Sequence, residues 1–259
     1  MADSIDRPAG YVQSLDRGLA VISCFSAERP QLTLSEVARQ TNVSRAAARR
    51  SLITLQTLGY VGSDGRQFYL TPRVLTLGYS YLSSLSLADV AQAHLSDLAN
   101  EVHESCSASV LDGLDIVYVA RAATKRIMTI SLSVGTRLPA YATSMGRVLL
   151  AGLPGDSLDA YLGAATLTPL TERTIVDHDR LRAEVERTRA RGWCLVDQEL
   201  EDGVRSIAVP IHNSTGRVVA AVNTSAHATR VPLATLQKSF LPKLRDCAAA
   251  IDTELRSVR

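Results

Sequence analysis

The sequence has no apolar run long enough to cross a membrane, which takes about 18 residues or more. Its first ten residues, MADSIDRPAG, carry acids where a secretory signal has positive charge, and they contain no apolar segment. We therefore expect a cytoplasmic protein with no membrane partner.

Cysteine is scarce as well. The four cysteines, at positions 24, 106, 194 and 247, form no CxxC pattern and no mixed cluster with histidine. The five histidines likewise occur at no spacing typical of metal ligands. We expect buried reduced thiols, no metal site and no cofactor.

Catalytic motifs are also missing, since the chain has no GxSxG, P-loop, GxGxxG or HExxH pattern. Ser206 with His212 or His227 offers a nucleophile and a base, but nothing in their spacing sets the geometry that a hydrolase needs. We expect no catalytic residue and no enzyme. Two alternatives stay open: a small-molecule-processing enzyme, or a ligand sensor, with an accessory winged-helix domain.

Positive charge is present, and it is unevenly distributed. The net charge of the whole chain is only +2, whereas residues 1–78 carry nine arginines against six acids. Residues 37–63 hold four arginines and no acid. Local positive charge attracts a polyanion. This distribution indicates a nucleic-acid partner for the N-terminal part of the chain.

Apolar spacing near the N-terminus predicts two short helices. The first covers residues 14–25, with Ser14 as a possible N-cap. The second begins in LTLSEVARQT, where either Thr33 or Ser35 is the candidate cap.

A tight turn and a third helix follow. Ser44 is expected to cap this helix, which ends before Gly59. Two short β-rich runs around residues 64–65 then form a hairpin, and Pro72 breaks the chain. This order of elements predicts a winged helix-turn-helix domain over residues 1–72.

The rest of the chain predicts a different architecture. RVLTLGYSYLSSL is typical of a helix, and we assign residues 73–86 to a linker helix. In residues 87–259, amphipathic helices mix with strand pairs, including a strand predicted at 126–134. This mixture favours an α+β domain with one antiparallel sheet over a doubly wound nucleotide-binding fold.

The stretch TNVSRAAARRSL has the features of a recognition helix. Ala48, Leu52 and Leu55 form its core stripe, and small residues at 46 and 47 suit a groove about 12 Å wide. A solvated arginine-rich face is the alternative, which the acid-free surroundings disfavour. The residues expected to contact DNA are Thr33, Ser44, Arg45, Ala46, Arg49, Arg50 and Arg66.

A helix start in the second half is a candidate anion site. Ser144 is expected to cap the helix SMGRVLLAGL. The free N–H groups of Met145, Gly146 and Arg147 would then favour a carboxylate. Gly146 also allows close approach of the backbone.

Polar residues on predicted strands indicate the same function. Asn223 and Ser225 lie two apart on an apolar strand, so they share one face, and Ser206 lies on the strand paired with it. Buried polar groups of this kind need partners or a ligand. Small hydroxyls satisfied by the backbone or by water are the alternative.

These segments resemble the IclR family of bacterial transcription regulators. The resemblance rests on SLDRGLAVISCF, LTLSEVARQTNVSRAAARRSLITLQTLGYV, DGLDIVYVAR and VVAAVNTSAH, and it covers almost the whole chain. AYATSMGRVLLA and LVDQELEDGVRSIA resemble the PcaR/PcaU/PobR-type branch, which regulates aromatic-acid breakdown through the β-ketoadipate pathway. The resemblance implies a dimerising linker helix and a C-terminal GAF-like effector domain. It also implies a homodimer or a dimer of dimers on a near-palindromic operator in double-stranded DNA.

The resemblance further implies a pocket for a small aromatic or dicarboxylic acid effector. Ser144 stands where many members have Gly, Tyr141 where many have His, and Asn223 where Ser is common, so a larger acid is expected to fit. Arg121 and Arg126 either neutralise its carboxylates or lie exposed. The residues expected to bind the effector are Tyr141, Thr143, Ser144, Met145, Gly146, Asp197, Ser206, Asn223, Ser225 and Arg121.

Overall fold

The computed structural model describes residues 8–26, 28–77, 87–124 and 132–257. The chain separates into two compact units, Met1–Tyr81 and Leu82–Arg259. The boundary falls within the predicted linker helix, 73–86, of which residues 78–86 lie outside the described part. The domain limits 1–72 and 87–259 therefore remain predictions.

The N-terminal unit is a winged helix-turn-helix, as predicted. Three strands form its antiparallel sheet in the order β1-β3-β2. The strand β1 was not predicted, because three residues are too few to show an alternating pattern. The elements are α1 Gln13–Ser23, β1 Gln31–Thr33, α2 Leu34–Gln40, α3 Arg45–Thr57, β2 Val61–Ser63 and β3 Gln67–Leu70.

The starts of the first two helices differ from each other in their caps. A capping box begins α2, in which Thr33 accepts from the Glu36 N–H and the Glu36 carboxylate accepts from the Thr33 N–H. The open choice between Thr33 and Ser35 is thereby decided. The Ser14 cap is wrong, since α1 follows Val12 with no side-chain cap and Ser14 lies inside its first turn.

The apolar residues of α1 do not all face the core. Val21 is fully buried, whereas Leu15 and Leu19 are 62% and 54% exposed. Pro72 opens a 3-10 turn, Pro72–Val74, rather than breaking the chain. Its fixed φ and missing N–H suit the first position of a helical turn.

The second unit is an α+β domain built around one antiparallel sheet, which confirms the predicted fold class. The sheet has the order β6-β5-β4-β9-β8-β7. The helices are α4 Leu87–Val102, α5 Ser144–Ala151, α6 Gly155–Ala164, α7 His178–Arg191 and α8 Leu241–Ser257. The strands are β4 Ser105–Asp112, β5 Asp115–Ala122, β6 Arg137–Pro139, β7 Cys194–Asp197, β8 Val204–His212 and β9 Val218–His227.

Helices cover both faces of this sheet. One core joins α4 and α8 to one face. A second core joins α5, α6 and α7 to the other face. Neither α6 nor β6 was predicted from the sequence. The predicted strand at 126–134 lies mostly outside the described residues, as does Arg126.

The described part of the chain offers no helix with the length and apolar character of a membrane span. Within the same residues, no group of three His, Cys, Asp or Glu side chains is placed to hold a metal ion.

Candidate DNA-binding surface and effector pocket

The turn between α2 and α3 presents the start of α3 to solvent. Asn42 has φ 51°, a left-handed conformation that asparagine tolerates better than most residues. Ser44 then caps α3, because its hydroxyl accepts from the Ala47 N–H at 3.2 Å. Ser44, Arg45 and Ala46 are all exposed at this helix start.

The core side of α3 is wider than the sequence analysis predicted. Ala48, Leu52 and Leu55 are buried as expected. Ala47 is buried as well, so its assignment to the slim outer face is wrong. The helix α1 packs against α3, and only Ala46 of the two small residues faces outward.

The arginines of α3 lie on two different sides. At 100° per residue, Arg45 and Arg49 are about 40° apart, on the exposed flank. Arg50 instead lines an 800 Å³ groove beside α1, together with Leu15 and Leu19. None of these three arginines forms an ion pair with an acid in the described part of the chain.

The wing tip is preorganised by its own carboxylate. Asp64 Oδ1 accepts from the N–H groups of Arg66 at 2.8 Å and Gln67 at 2.7 Å. These bonds lower the pKa of Asp64, the Gln67 bond most. Gly65 has φ 97°, which suits the turn, and the Arg66 side chain is exposed. Thr33 uses its hydroxyl proton within the chain, donating to Glu36 at 2.7 Å.

A row of polar side chains crosses three strands of the second unit. Strand register pairs Arg121 of β5 with Ser107 of β4, and Ser107 with Asn223 of β9. The adjacent row pairs Ser225 with Ser206 of β8. Paired residues share a face, so Asn223, Ser225 and Ser206 lie together as predicted.

Hydrogen bonds connect these side chains to one another and to α5. Asn223 donates to Ser225 at 3.0 Å, and the hydroxyls of Ser206 and Ser144 are 2.8 Å apart. Arg121 donates to Ser107 Oγ at 3.3 Å. We call this set the polar cluster: Ser107, Arg121, Ser144, Ser206, Asn223 and Ser225.

Asn223 has an unsatisfied acceptor in the polar cluster. The residue is only 4% exposed. Its Oδ1 atom has no hydrogen-bond partner among the described residues. A buried amide oxygen without a partner costs about 1–3 kcal/mol, which a ligand or a bound water can recover.

A β-bulge brings Tyr118 to the same face. Ala108 pairs with Ala120 while Ser109 pairs with Tyr118, so Val119 is an extra residue in β5. Without the bulge, residues 118 and 121 would face opposite sides of the sheet. Tyr118 is 4% exposed, and its hydroxyl has no hydrogen bond to a described residue.

Burial shifts the pKa values of both Tyr118 and Arg121. Burial raises the pKa of Tyr118 to about 12, and the charge of Arg121 opposes that rise. Burial also lowers the pKa of Arg121. Arg121 has no ion pair with a described acid, and Gln92 of α4 bonds to both its backbone N–H and its carbonyl. The guanidinium is therefore a cation that Ser107 holds in position and that no described acid pairs with.

The start of α5 is not the open anion site that the sequence predicted. Thr143, not Ser144, is the N-cap, and its hydroxyl accepts from the Gly146 N–H at 3.1 Å. The Arg147 N–H donates to the Thr143 carbonyl. Two of the three N–H groups expected to be free are therefore occupied within the chain.

Gly146 allows close packing within the protein. A Cβ at this position would lie 2.1 Å from the carbonyl oxygen of Ala140. Next to it, the sulfur of Met145 accepts from Ser109 Oγ at 3.3 Å. Glycine is therefore required for the packing of α5 against the turn before it.

Tyr141 is committed to a structural contact. Its hydroxyl donates to the Thr168 carbonyl at 2.8 Å and accepts from the Thr168 N–H at 3.2 Å. These bonds tie the turn before α5 to the loop after α6. The hydroxyl expected to reach a larger acid is already used.

Asp197 lies apart from the polar cluster. It pairs with Arg205, while its neighbour Val196 pairs with Ser206, so Asp197 is on the other face of the strand. Its carboxylate accepts from Arg205 at 2.8 Å and from Arg173 at 3.1 Å. The structure therefore does not bring Asp197 to the predicted pocket.

Two charged residues in this region were missed. Arg147 is 1% exposed, and it forms two hydrogen bonds with Glu199, which is 9% exposed. Burial alone lowers the pKa of Arg147, yet Glu199 raises it overall. No sequence signal distinguishes this arginine from those on the surface. The serine alternation of Ser105, Ser107 and Ser109 is a signal that would have found β4, the third strand of the polar cluster.

Comparisons with known proteins agree with this architecture. Residues 14–65 match the IclR helix-turn-helix domain, and residues 79–253 match the C-terminal domain of bacterial transcriptional regulator IclR. The chain is 50% identical over 235 residues to the Pca regulon regulatory protein of Pseudomonas putida, covering 90% of this chain and 81% of that one.

Two further relatives cover nearly the whole chain. The p-hydroxybenzoate hydroxylase transcriptional activator of Acinetobacter baylyi is 37% identical over 257 residues, 97% of this chain and 93% of that one. A solved transcriptional regulator from Rhodococcus sp. RHA1 is 58% identical, with a TM-score of 0.86, and covers 96% of this chain and 100% of its own.

The winged helix-turn-helix and the separate α+β domain define a DNA-binding transcriptional regulator. The chain belongs to the IclR family of bacterial transcriptional regulators. Its relatives are named as regulators, which confirms the prediction of a regulator rather than an enzyme.

Proposed function

We propose that this regulator controls aromatic-acid catabolism, and that a small carboxylic acid in the polar cluster changes its binding to DNA. The observation that carries the proposal is the unsatisfied Oδ1 atom of Asn223, buried in the same row across the sheet as Arg121, whose guanidinium has no ion pair with a described acid. The names of the relatives from Pseudomonas putida and Acinetobacter baylyi support the pathway.

The arrangement suggests how such an acid binds. Its carboxylate pairs with Arg121, with the free Tyr118 hydroxyl as a second donor. Its other polar end reaches the amide of Asn223 and the hydroxyls of Ser206 and Ser225, which lie one row away. Hydroxybenzoates, protocatechuate and β-ketoadipate all have two polar ends joined by a carbon frame.

The DNA side of the proposal rests on α3 and the wing. Arg45 and Arg49 present two positive charges near the start of α3 that have no ion pair with a described acid, and Arg66 presents a third charge at the wing tip. In a winged helix-turn-helix, the start of the recognition helix reads base edges in the major groove. Such a protein acts where the bacterial DNA is, in the cytoplasm.

The exposed apolar surface of the N-terminal unit supports our proposal of a homodimer, which would bind a near-palindromic operator. Leu15, Leu19, Leu58 and Leu77 are all exposed and line one groove. A contiguous apolar surface of this kind marks a protein–protein contact. We propose that a second copy of the chain covers it, with a dimer of dimers as the larger assembly.

The effector acts only if it binds one arrangement of the dimer more tightly than another. In this proposal, helix α5 contacts the effector at one end and is bonded to another segment of the chain further along. Ser144 contributes to the polar cluster. Arg147, one turn further along, binds Glu199 in the acidic segment between β7 and β8.

Thermal unfolding with a small panel tests the effector. We expect protocatechuate, 4-hydroxybenzoate or β-ketoadipate to raise the apparent Tm, because a ligand of the folded state alone stabilises it. The same acid should alter a mobility shift on the DNA upstream of the protein's own gene. If no member of the panel raises the Tm, the aromatic-pathway assignment fails. If no shift forms at low salt, direct DNA binding fails.

A further inference from the structure

A cavity lies in the second unit, at the opposite end of α5 from Ser144. Its volume is 430 Å³. This falls within the range of about 300–1,000 Å³ that small-molecule sites occupy. Its apolar wall consists of Val148, Ala151, Val209, Val218 and Ala248, and none of the polar-cluster residues lines it.

The cavity exists because β7 is much shorter than β8. Strand β7 pairs only with residues 205–208 of β8, so residues 209–212 have no strand neighbour on that side. Pro210 has no N–H to offer there, and the His212 N–H donates to Asp252 Oδ1 at 2.7 Å. An added strand therefore finds no free N–H at Pro210 or His212 on this edge, and the space suits a small molecule.

Basic side chains dominate the rim. Arg189 and Arg245 line the cavity, and neither has an ion pair with an acid in the described residues. Arg189 donates to the carbonyls at the end of α5, and Arg245 to the carbonyl of Arg191. Asp252, the one acid among the described residues of the rim, accepts from His212 Nδ1 at 3.1 Å. The described charges of the rim favour an anion.

A buried polar atom at the wall has no oxygen or nitrogen partner. Thr188 is 2% exposed, and its hydroxyl makes no such hydrogen bond within the described residues. Its polar neighbour is the thiol of Cys194, a weak acceptor. Thr188 is thus bonded to sulfur within the protein, and the indications of a ligand are the cavity itself and the arginines at its rim.

We propose that this cavity is a second ligand site, which binds a small carboxylate with an apolar body. The apolar wall holds the body, and the guanidinium groups of Arg245 and Arg189 hold the carboxylate. The site is separate from the polar cluster, but Val148 and Ala151 belong to the same two-turn helix as Ser144. A ligand here therefore contacts the helix that the effector contacts.

Equilibrium dialysis of the full chain with radiolabelled benzoate counts the molecules bound per protomer. We expect two in the wild type. Ala249→Phe places a ring at the exposed edge of the cavity, and Arg245→Gln removes a cation that has no ion pair with a described acid, so each should lower the affinity of this site roughly tenfold or more. Arg121→Gln should weaken only the other site. Arg256→Gln, an exposed arginine of the same helix outside the cavity, should keep both.

One benzoate per protomer that depends on Arg121 and is unchanged in both Ala249→Phe and Arg245→Gln overturns the second site. One benzoate per protomer that depends on Ala249 and Arg245 but not on Arg121 contradicts the effector assignment and leaves the second site intact. Neutral benzamide, at equal concentration, should bind this cavity at least roughly tenfold more weakly. Equal binding of the acid and the amide contradicts a carboxylate site.

Discussion

Arg147 and Glu199 form a buried, two-bonded ion pair that joins helix α5 to the acidic segment after β7. The same carboxylate accepts from the Ile175 N–H at 3.2 Å, so it also holds the loop after α6. Arg147 adds a bond to the Tyr141 carbonyl at 2.8 Å. The Arg147 guanidinium and its partner Glu199 thus connect helix α5 to two loops. The polar-cluster residue Ser144 lies on the same helix.

Removing one partner of this pair should destabilise the effector domain strongly. We expect Glu199→Gln to lower the free energy of unfolding by about 3–5 kcal/mol, because it leaves a buried charge unpaired. Chemical denaturation measures the change. The double variant Arg147→Met/Glu199→Gln should cost less than the sum of the single changes. Arg182→Met, which removes an exposed pair with Asp159, is the control and should cost about 1 kcal/mol or less.

The carboxylate of the effector should be read by Arg121. In Arg121→Gln, we expect the affinity for 4-hydroxybenzoate to fall by roughly 10- to 100-fold, as for the loss of a charge-assisted hydrogen bond. The affinity for neutral 4-hydroxybenzamide should hardly change. Calorimetry on both ligands gives the ratio. An equal loss for acid and amide would place the carboxylate elsewhere in the pocket.

Tyr118→Phe tests the second donor of the same site. Removal of the hydroxyl leaves the ring in place, so we expect a loss of roughly tenfold or more in affinity for the acid, as for one hydrogen bond to a charged group. Tyr141→Phe is the matched control, since that hydroxyl bonds to the backbone of Thr168. It should lower the free energy of unfolding while leaving the acid-to-amide ratio unchanged. A changed ratio in the control would contradict the assignment of the two tyrosines.

DNA binding should depend on Arg49 through charge. Arg49→Ala is expected to weaken binding and, if the contact is to phosphate, to reduce the slope of log K against log salt by about 1. Fluorescence anisotropy over a salt series measures the slope. Arg29→Ala, an exposed arginine outside α3, is the control. Arg50→Ala should affect the slope less, because Arg50 lines the groove beside α1. A slope unchanged by Arg49→Ala, with unchanged affinity, would remove this residue from the interface.

Two glycines provide a matched test of packing around α5. In Gly146→Ala the new Cβ meets the backbone of Ala140, so we expect a loss of about 3 kcal/mol or more in unfolding free energy. In Gly163→Ala, within α6, the Cβ meets nothing within 4 Å. That change should stabilise the domain by about 0.5–1 kcal/mol. If the two variants melt alike, the close approach to Ala140 does not constrain the helix.

Several features that depend only on neighbouring residues were predicted correctly from the sequence. The cap at Ser44, the Gly59 terminus and the turn around Asp64 are decided by neighbours within a few residues, and all three are in the structure. The alternation that placed Asn223 and Ser225 on one face is equally local. Caps at Ser14 and Ser144 were wrong, since a nearby residue can start a helix instead.

Contacts between residues far apart in the sequence could not be predicted in this way. The bulge at Val119 shifts the register of β5, and this shift alone brings Tyr118 and Arg121 to one face. Asp197 was expected in the pocket, but its pairing with Arg205 depends on where β7 docks against β8. Neither register is visible in the spacing of the residues concerned.

The sequence by itself determined most of the elements and the acid-free recognition helix, because periodicity, caps and charge act over short distances along the chain. The family followed from the resemblance of whole segments. Only the tertiary structure decided which polar groups are satisfied. Tyr141 looked available and is bonded, whereas the Asn223 oxygen is buried without a partner in the described chain. The reason is physical: a hydrogen bond depends on distance and direction, and those exist only once the sheet and helices have packed.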